Sequence, residues 1–174
     1  MANIIKHRAV MPDSWQVLEQ GTIGALPLGA DVIVPLDLWL SERDTLASRS
    51  GRTGVWLNTD ADPATLAQDL PHFSLIAIRF AKFADGRGYT LARLLRERYG
   101  YRGELRAIGD VLRDQLYYLS RCGFDAFALR ADQNIEQALA ALDDFSEAYQ
   151  ASVERPDPLF RRRLERTRES GTAC

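Results

Sequence analysis

Leu75-Ile-Ala-Ile-Arg-Phe80 runs through Phe83-Ala-Asp-Gly-Arg-Gly-Tyr89 into an amphipathic stretch that stops at Gly100. Glu104-Leu-Arg-Ala-Ile108 then runs through Gly109-Asp-Val-Leu-Arg-Asp-Gln115 into a second stretch that stops at Gly123. Each half is a short apolar run, a loop, and then apolar residues at helical spacing ended by glycine. Two such units in succession predict parallel strands joined by crossover helices, because adjacent parallel strands need a long return connection. The pattern extends outward. Val32-Ile-Val34 ends at Pro35 and leads to helical spacing over residues 37–46. Gly54-Val-Trp-Leu57 leads to a short helix with Asp62 as its cap and Pro63 in the first turn, where proline's missing N–H costs nothing. Phe124 to Leu129 precedes the longest predicted helix, Asn134 to Tyr149, with Ile135, Ala138, Leu139, Leu142, Phe145 and Tyr149 on one stripe.

The predicted fold is therefore α/β, a mainly parallel sheet of about five βα units. An N-terminal hairpin is expected over residues 3–20, turning at Met11-Pro-Asp-Ser14. Alternation alone fits two strand orders equally, a flavodoxin-like open sheet and a partial barrel with strands in chain sequence. Residues 1–152 read as one domain. Residues 153–174, with prolines at 156 and 158 and then an arginine-rich run, read as a basic mobile tail.

Bulk composition excludes several classes. A net charge of −2 and a pI near 5.7 give no overall pull toward nucleic acid or an anionic membrane, so any cationic site must be local. No apolar run approaches the roughly 20 residues of a membrane span, and no signal core follows Lys6-His-Arg8, so the expected location is the cytoplasm. Cys122 and Cys174 do not form a disulfide framework, and with only His7 and His72 beside them no soft-ligand metal site is expected. Of the 22 basic residues only Lys6 and Lys82 are lysines, and arginine is the side chain suited to forked contacts with carboxylates and oxyanions.

Loops after the strands of a parallel sheet gather ligands because free amides converge there. At that edge Gly86 and Gly88 were candidates to bring backbone amides close to a guest at positive φ, with Arg79, Arg87 and Arg106 supplying guanidinium groups for an oxyanion or carboxylate. The period-2 pattern puts Glu104 and Arg106 on one strand face, and an internal ion pair of Arg106 with Asp110 or Glu104 is the competing reading. Asp110 and Asp114, four apart at a helix start, read either as functional carboxylates facing Asp85 or as a cap and a dipole partner. Tyr89, Tyr99, Tyr101, Tyr117 and Tyr118 read as packing or as a stack for a flat cofactor. Gly86-Arg-Gly88 lacks the third glycine of a dinucleotide fingerprint, and neither a P-loop nor a Gly-x-Ser-x-Gly elbow occurs, so no cofactor is predicted. Cys122 reads as a small buried hydrophobe, and Cys174 as a terminal thiol able to carry sulfur to a partner.

Phe83 to Arg96, Gly103 to Gln115 and Arg121-Cys-Gly-Phe-Asp125 resemble an uncharacterised bacterial family, a domain of unknown function encoded beside sulfite reductase genes. The resemblance covers roughly residues 25–150, with Lys82 and Thr90 standing where the family pattern has Pro and Ser. It implies a place in assimilatory sulfate reduction, as an accessory that docks on sulfite reductase or another protein of that route, or senses a small oxyanion. The alternative it implies is an enzyme, since members sometimes carry an oxidoreductase label, acting on a small anionic substrate in the same cleft. The residues assigned to anion or partner binding are Arg79, Asp85, Gly86, Arg87, Gly88, Arg106, Asp110 and Asp114.

Overall fold

The computed structural model describes residues 3–21 and 29–164. Eight strands form one sheet: β1 (Asn3–Lys6), β2 (Ala9–Pro12), β3 (Gln16–Val17), β4 (Val32–Pro35), β5 (Thr53–Asn58), β6 (Leu75–Phe80), β7 (Glu104–Gly109) and β8 (Ala126–Phe127), in spatial order β2-β1-β8-β7-β6-β5-β4-β3. From β3 to β8 the strands are parallel and follow chain order. β1 lies antiparallel against β8, and β2 against β1. The flavodoxin-like order is thereby excluded, since such a sheet reverses direction after its first strands. The chain-order alternative is the observed one. The count of five units is looser than expected: β3 joins as a further parallel strand, and β5 returns through 3-10 turns at Pro63–Leu66 and Leu70–His72 rather than an α-helix.

The sheet is curled into a half-barrel. Pro12 and Gln16 stand on its two opposite edges yet are four residues apart, a reach of roughly 14 Å at full extension. Laid flat, seven strand spacings of about 4.8 Å would separate those edges by roughly 34 Å. Because each right-handed crossover advances one strand the same way, the helices collect on the convex face. They are α1 (Leu36–Ser41), α2 (Arg43–Ser48), α3 (Arg87–Arg93, continuing as a π-turn over Leu94–Arg98), α4 (Leu116–Arg121) and α5 (Ile135–Ala141). Val34, Val55, Leu57, Ile76, Ile78 and Leu105 pack there against Trp39, Leu46, Leu66, Leu91, Leu95 and Leu119.

The concave face holds a smaller apolar cluster of Ile33, Trp56, Leu75, Ala77 and Ile108, with Trp15 against it. The same face carries charge. Arg106, 1% exposed, donates to Glu104 at 2.7 Å and to Asp13 at 2.8 Å, and Lys6 reaches Glu104 at 2.7 Å. Residues 13–19 lie across the concavity, and the Trp56 indole N–H donates to the Leu18 carbonyl at 2.8 Å. Among the described residues no helix is long and apolar enough to cross a membrane.

Several boundaries differ from expectation for physical reasons. The hairpin turns at His7 and Arg8, both at positive φ (47° and 61°), and not at residues 11–14, which lead to the opposite edge of the sheet. The helix expected over 37–46 breaks at Glu42 (φ −121°) into α1 and α2. The long helix expected to reach Tyr149 ends at Leu142. Asp143 and Asp144 follow, placing two negative charges at the negative end of the helix dipole, and Phe145 and Tyr149 are exposed. Asp62 caps as read, accepting from the Ala64 N–H, and Gly100 and Gly123 end their helices at positive φ; Asn134, read as the first residue of its helix, is its cap and accepts from the Gln137 N–H. Residues 153–164 are hydrogen-bonded to the domain, through Val153 N–H to the Arg121 carbonyl and Leu159 N–H to the Tyr149 carbonyl. The remainder of the expected tail, including Cys174, lies outside the described residues.

Candidate functional site

The loops at the C-terminal ends of β5, β6, β7 and β8 form one rim, tied together by side chains. Thr59, just past β5, donates its hydroxyl to Asp85 at 2.6 Å. Asp85 also accepts a forked pair from Arg87, at 2.9 and 2.7 Å, and the Arg87 backbone N–H. These bonds, the Arg87 guanidinium first, hold its carboxyl well below the usual carboxylate range, so it is an anion and not a proton donor at neutral pH. Asp110 accepts the Phe83 N–H at 3.0 Å and pairs with Arg130 at 2.7 Å. Arg130 in turn grips Asp132, drawing that carboxyl down to about 2. Gln115 accepts the Leu112 N–H, and donates to the Phe83 carbonyl at 2.9 Å and the Tyr89 hydroxyl at 3.1 Å.

The segments that start at Asp85 and Asp110 therefore meet, but the structure does not gather the three arginines into one open cationic pocket. Arg87 is closed by Asp85 and stands 3.7 Å from Asp60. Arg79 lies over the Trp56 ring at 4.2 Å and donates both terminal nitrogens to Glu19 at 2.8 and 2.6 Å. Arg106 is inside the half-barrel, so of the two readings of that residue the internal ion pair is the observed one, with Glu104 and Asp13 as partners rather than Asp110.

The glycines also act differently from expectation. Neither Gly86 nor Gly88 has positive φ; Gly86 sits at φ −69° before α3. Gly88 is required by packing, since a Cβ there would meet the Phe80 ring at 2.6 Å. The glycine with a conformational role is Gly109, at φ +92°, where a Cβ would stand 2.4 Å from the Phe80 carbonyl oxygen and where the next N–H, of Asp110, donates to that oxygen at 2.8 Å. Asp110 is not a helix cap: it stands at a bend where the Val111 N–H bonds back to the Gly109 carbonyl, Leu112 is extended, a 3-10 turn covers Arg113–Gln115, and Asp114 stands exposed in that turn. Tyr89 packs against Phe80 and Tyr118, and Cys122 is buried with its thiol pushed up by that burial.

Sequence reading missed Thr59, Gln115 and Arg130 as rim residues, and missed the presentation of Phe83. Thr59 and Arg130 each follow a strand end by one or a few residues, as Asp110 does, and that register was the available signal. Phe83 is 53% exposed while its N–H and carbonyl are both held by side chains of the β7 loop. Among the described residues no group of three or more His, Cys, Asp or Glu is placed to hold a metal ion. Chemically the rim is a braced mixed-charge surface carrying a fixed aromatic.

No curated protein and no solved structure matches the chain. A family model described as bacterial protein of unknown function (DUF934) matches residues 54–160, which runs from β5 past α5 and includes every rim loop from Asn58 to Gln133. On that match, covering more than half of its length, the chain belongs to this family of bacterial proteins of unknown function.

Proposed function

We infer that the protein is an accessory of assimilatory sulfate and sulfite reduction that docks on sulfite reductase, or on another protein of that route, through the rim at the C-terminal ends of β5 to β8. The observation that carries this reading is Phe83. An exposed aromatic whose backbone is hydrogen-bonded on both sides loses little freedom on binding, which is the property of an interface anchor. Around it Lys82, Arg87, Asp60, Asp114 and Arg113 supply exposed charge of both signs, suited to setting orientation against a partner. An enzymatic reading on a small anion has less support, because Asp85 and Asp110 are occupied in bracing loops and the rim arginines already hold carboxylates.

The test is affinity capture of the tagged full chain from extracts of cells growing on sulfate, at low and moderate salt. Sulfite reductase is expected in the bound fraction, and Phe83→Ser is expected to remove it while leaving the circular dichroism spectrum unchanged. Absence of sulfite reductase and of other sulfate-assimilation proteins at low salt overturns the reading.

A further inference from the structure

The end of the half-barrel opposite the rim is built differently. There the His7-Arg8 turn, the Gly123-Phe-Asp125 approach to β8 and the segment after α5 enclose two adjoining cavities of about 370 and 380 Å³, whose walls share Arg8, Ser120, Leu142 and Glu154. The first is lined by four guanidinium groups, those of Arg8, Arg121, Arg155 and Arg162, together with the hydroxyls of Ser120, Ser146 and Ser152. The second is apolar, with Phe124, Phe127, Leu142 and Val153 on its wall.

The first cavity carries more cations than carboxylates, with Asp143 and Glu154 on the same wall as the four guanidinium groups. Arg8 is paired with Asp143 and donates to the Leu142 carbonyl. Arg155 and Arg162 converge on one carboxylate, Glu147, at 3.6 and 2.8 Å. Arg121 has no acid partner among the described residues. One of its terminal nitrogens donates to the Gln150 carbonyl at 3.1 Å, and its Nε is buried with no hydrogen-bond partner at all. A guanidinium with no carboxylate partner carries an uncompensated charge, which an anion in the adjacent cavity offsets. The wall also carries backbone strain. His7 and Arg8 are non-glycine residues held at positive φ, and that conformation fixes Arg8 at the junction of the two cavities.

We propose that these joined cavities bind a small organic anion, its carboxylate, sulfonate or phosphate head among Arg121, Arg155 and Arg8 and its apolar body against Phe124, Phe127 and Val153. The head compartment sets four guanidinium groups against two carboxylates, Asp143 and Glu154, and that excess of positive charge selects for an anion over a neutral polar group. The apolar compartment selects for an organic anion over an inorganic one. The site is independent of the rim, and of any protein that docks there.

Benzenesulfonate is the probe, with inorganic sulfate as a head-only control and benzyl alcohol as a body-only control, each titrated into the ¹⁵N-labelled full chain. Saturable shifts are expected at the amides of Ser120 to Asp125 and of Val153, with benzenesulfonate binding at least about ten-fold more tightly than either control. Arg121→Gln is expected to weaken benzenesulfonate by about ten-fold or more, and Val153→Asp to weaken benzenesulfonate while leaving sulfate unchanged. Should Arg121→Gln fail to fold, Arg155→Gln at the exposed side of the cavity decides, with an expected loss of roughly three-fold or more. Absence of saturable shifts at those amides up to about 10 mM probe overturns the proposal. So do shifts confined to the rim residues 83–87 and 110–115, or unchanged affinity in the folded arginine variants.

Discussion

At the rim, Arg79 is closed by Glu19, Arg87 by Asp85 and Arg130 by Asp110 and Asp132, whereas at the opposite end Arg121 pairs with no carboxylate among the described residues and lines a cavity with three other guanidinium groups. The same side chain thus serves two purposes in one small domain. Where a carboxylate is in contact, it neutralises the arginine and braces the loop; where none is, the charge is left to the cavity that the arginine lines. The difference teaches that arginines near a strand end do not by themselves locate an anion site. What decides is whether the fold brings a carboxylate to them, and that carboxylate is often remote in sequence: Glu19 lies 60 residues from Arg79 and Asp13 lies 93 from Arg106.

The comparison can be broken most forcefully from inside the half-barrel. Arg106→Ala leaves Glu104 buried with only Lys6 as its partner and Asp13 uncompensated, and should lower stability by about 3–5 kcal/mol in urea unfolding. Gly109→Ala forces a side chain into positive φ and against the Phe80 carbonyl, with an expected loss of about 2–4 kcal/mol by the same measurement. Asp110→Ala removes an acceptor from the Phe83 N–H and the partner of Arg130. It should cost about 1–2 kcal/mol, and hydrogen exchange at the Phe83 amide should rise more than at neighbouring core amides.

Arg8→Gly sharpens the contrast at the other end. It relieves one left-handed residue and should raise stability by up to about 1 kcal/mol, offset in part by loss of the Asp143 pair, while weakening benzenesulfonate binding. The smallest effect is on pH dependence. Asp85 has a folded value depressed below its unfolded one, so its contribution is complete above about pH 4 and is lost as pH falls through the depressed range. Asp85→Asn should therefore lower the neutral plateau of a stability-versus-pH curve and flatten its acid limb, the variant and parent curves converging as pH falls.

Legibility from sequence divides along the range of the interactions. β6, β7 and the helices after them were readable because period and stop lie within a dozen or so residues, with Gly100 and Gly123 each acting on its own turn, as Asp62 and Pro63 do after β5. The curl was legible only as one of two alternatives, because β3, the strand that occupies the far edge, is two residues long. The hairpin turn was misplaced because His7 and Arg8 lack the glycine or asparagine that marks positive φ. Within the candidate site, the meeting of the Asp85 and Asp110 loops was legible from their shared place after adjacent strands. The engagement of Arg79 and Arg106 was not, since their partners come from the 13–19 segment. Asp110 reads as either a functional carboxylate or a cap because the bend at that residue carries no sequence mark that delays the helix.

The pairing of β1 with β8 has a consequence for biogenesis. The opening strand of the sheet finds its neighbour only at Ala126 and Phe127, so more than a hundred intervening residues must leave the ribosome before the N-terminal hairpin can seat. Until then the concave cluster and the Arg106 network lack their cover, and the nascent chain presents Trp56 and a charged strand face to chaperones and proteases. A closure of such long sequence separation makes for slow folding, and a chain truncated before residue 126 should be a substrate for chaperones and proteases rather than a smaller stable domain.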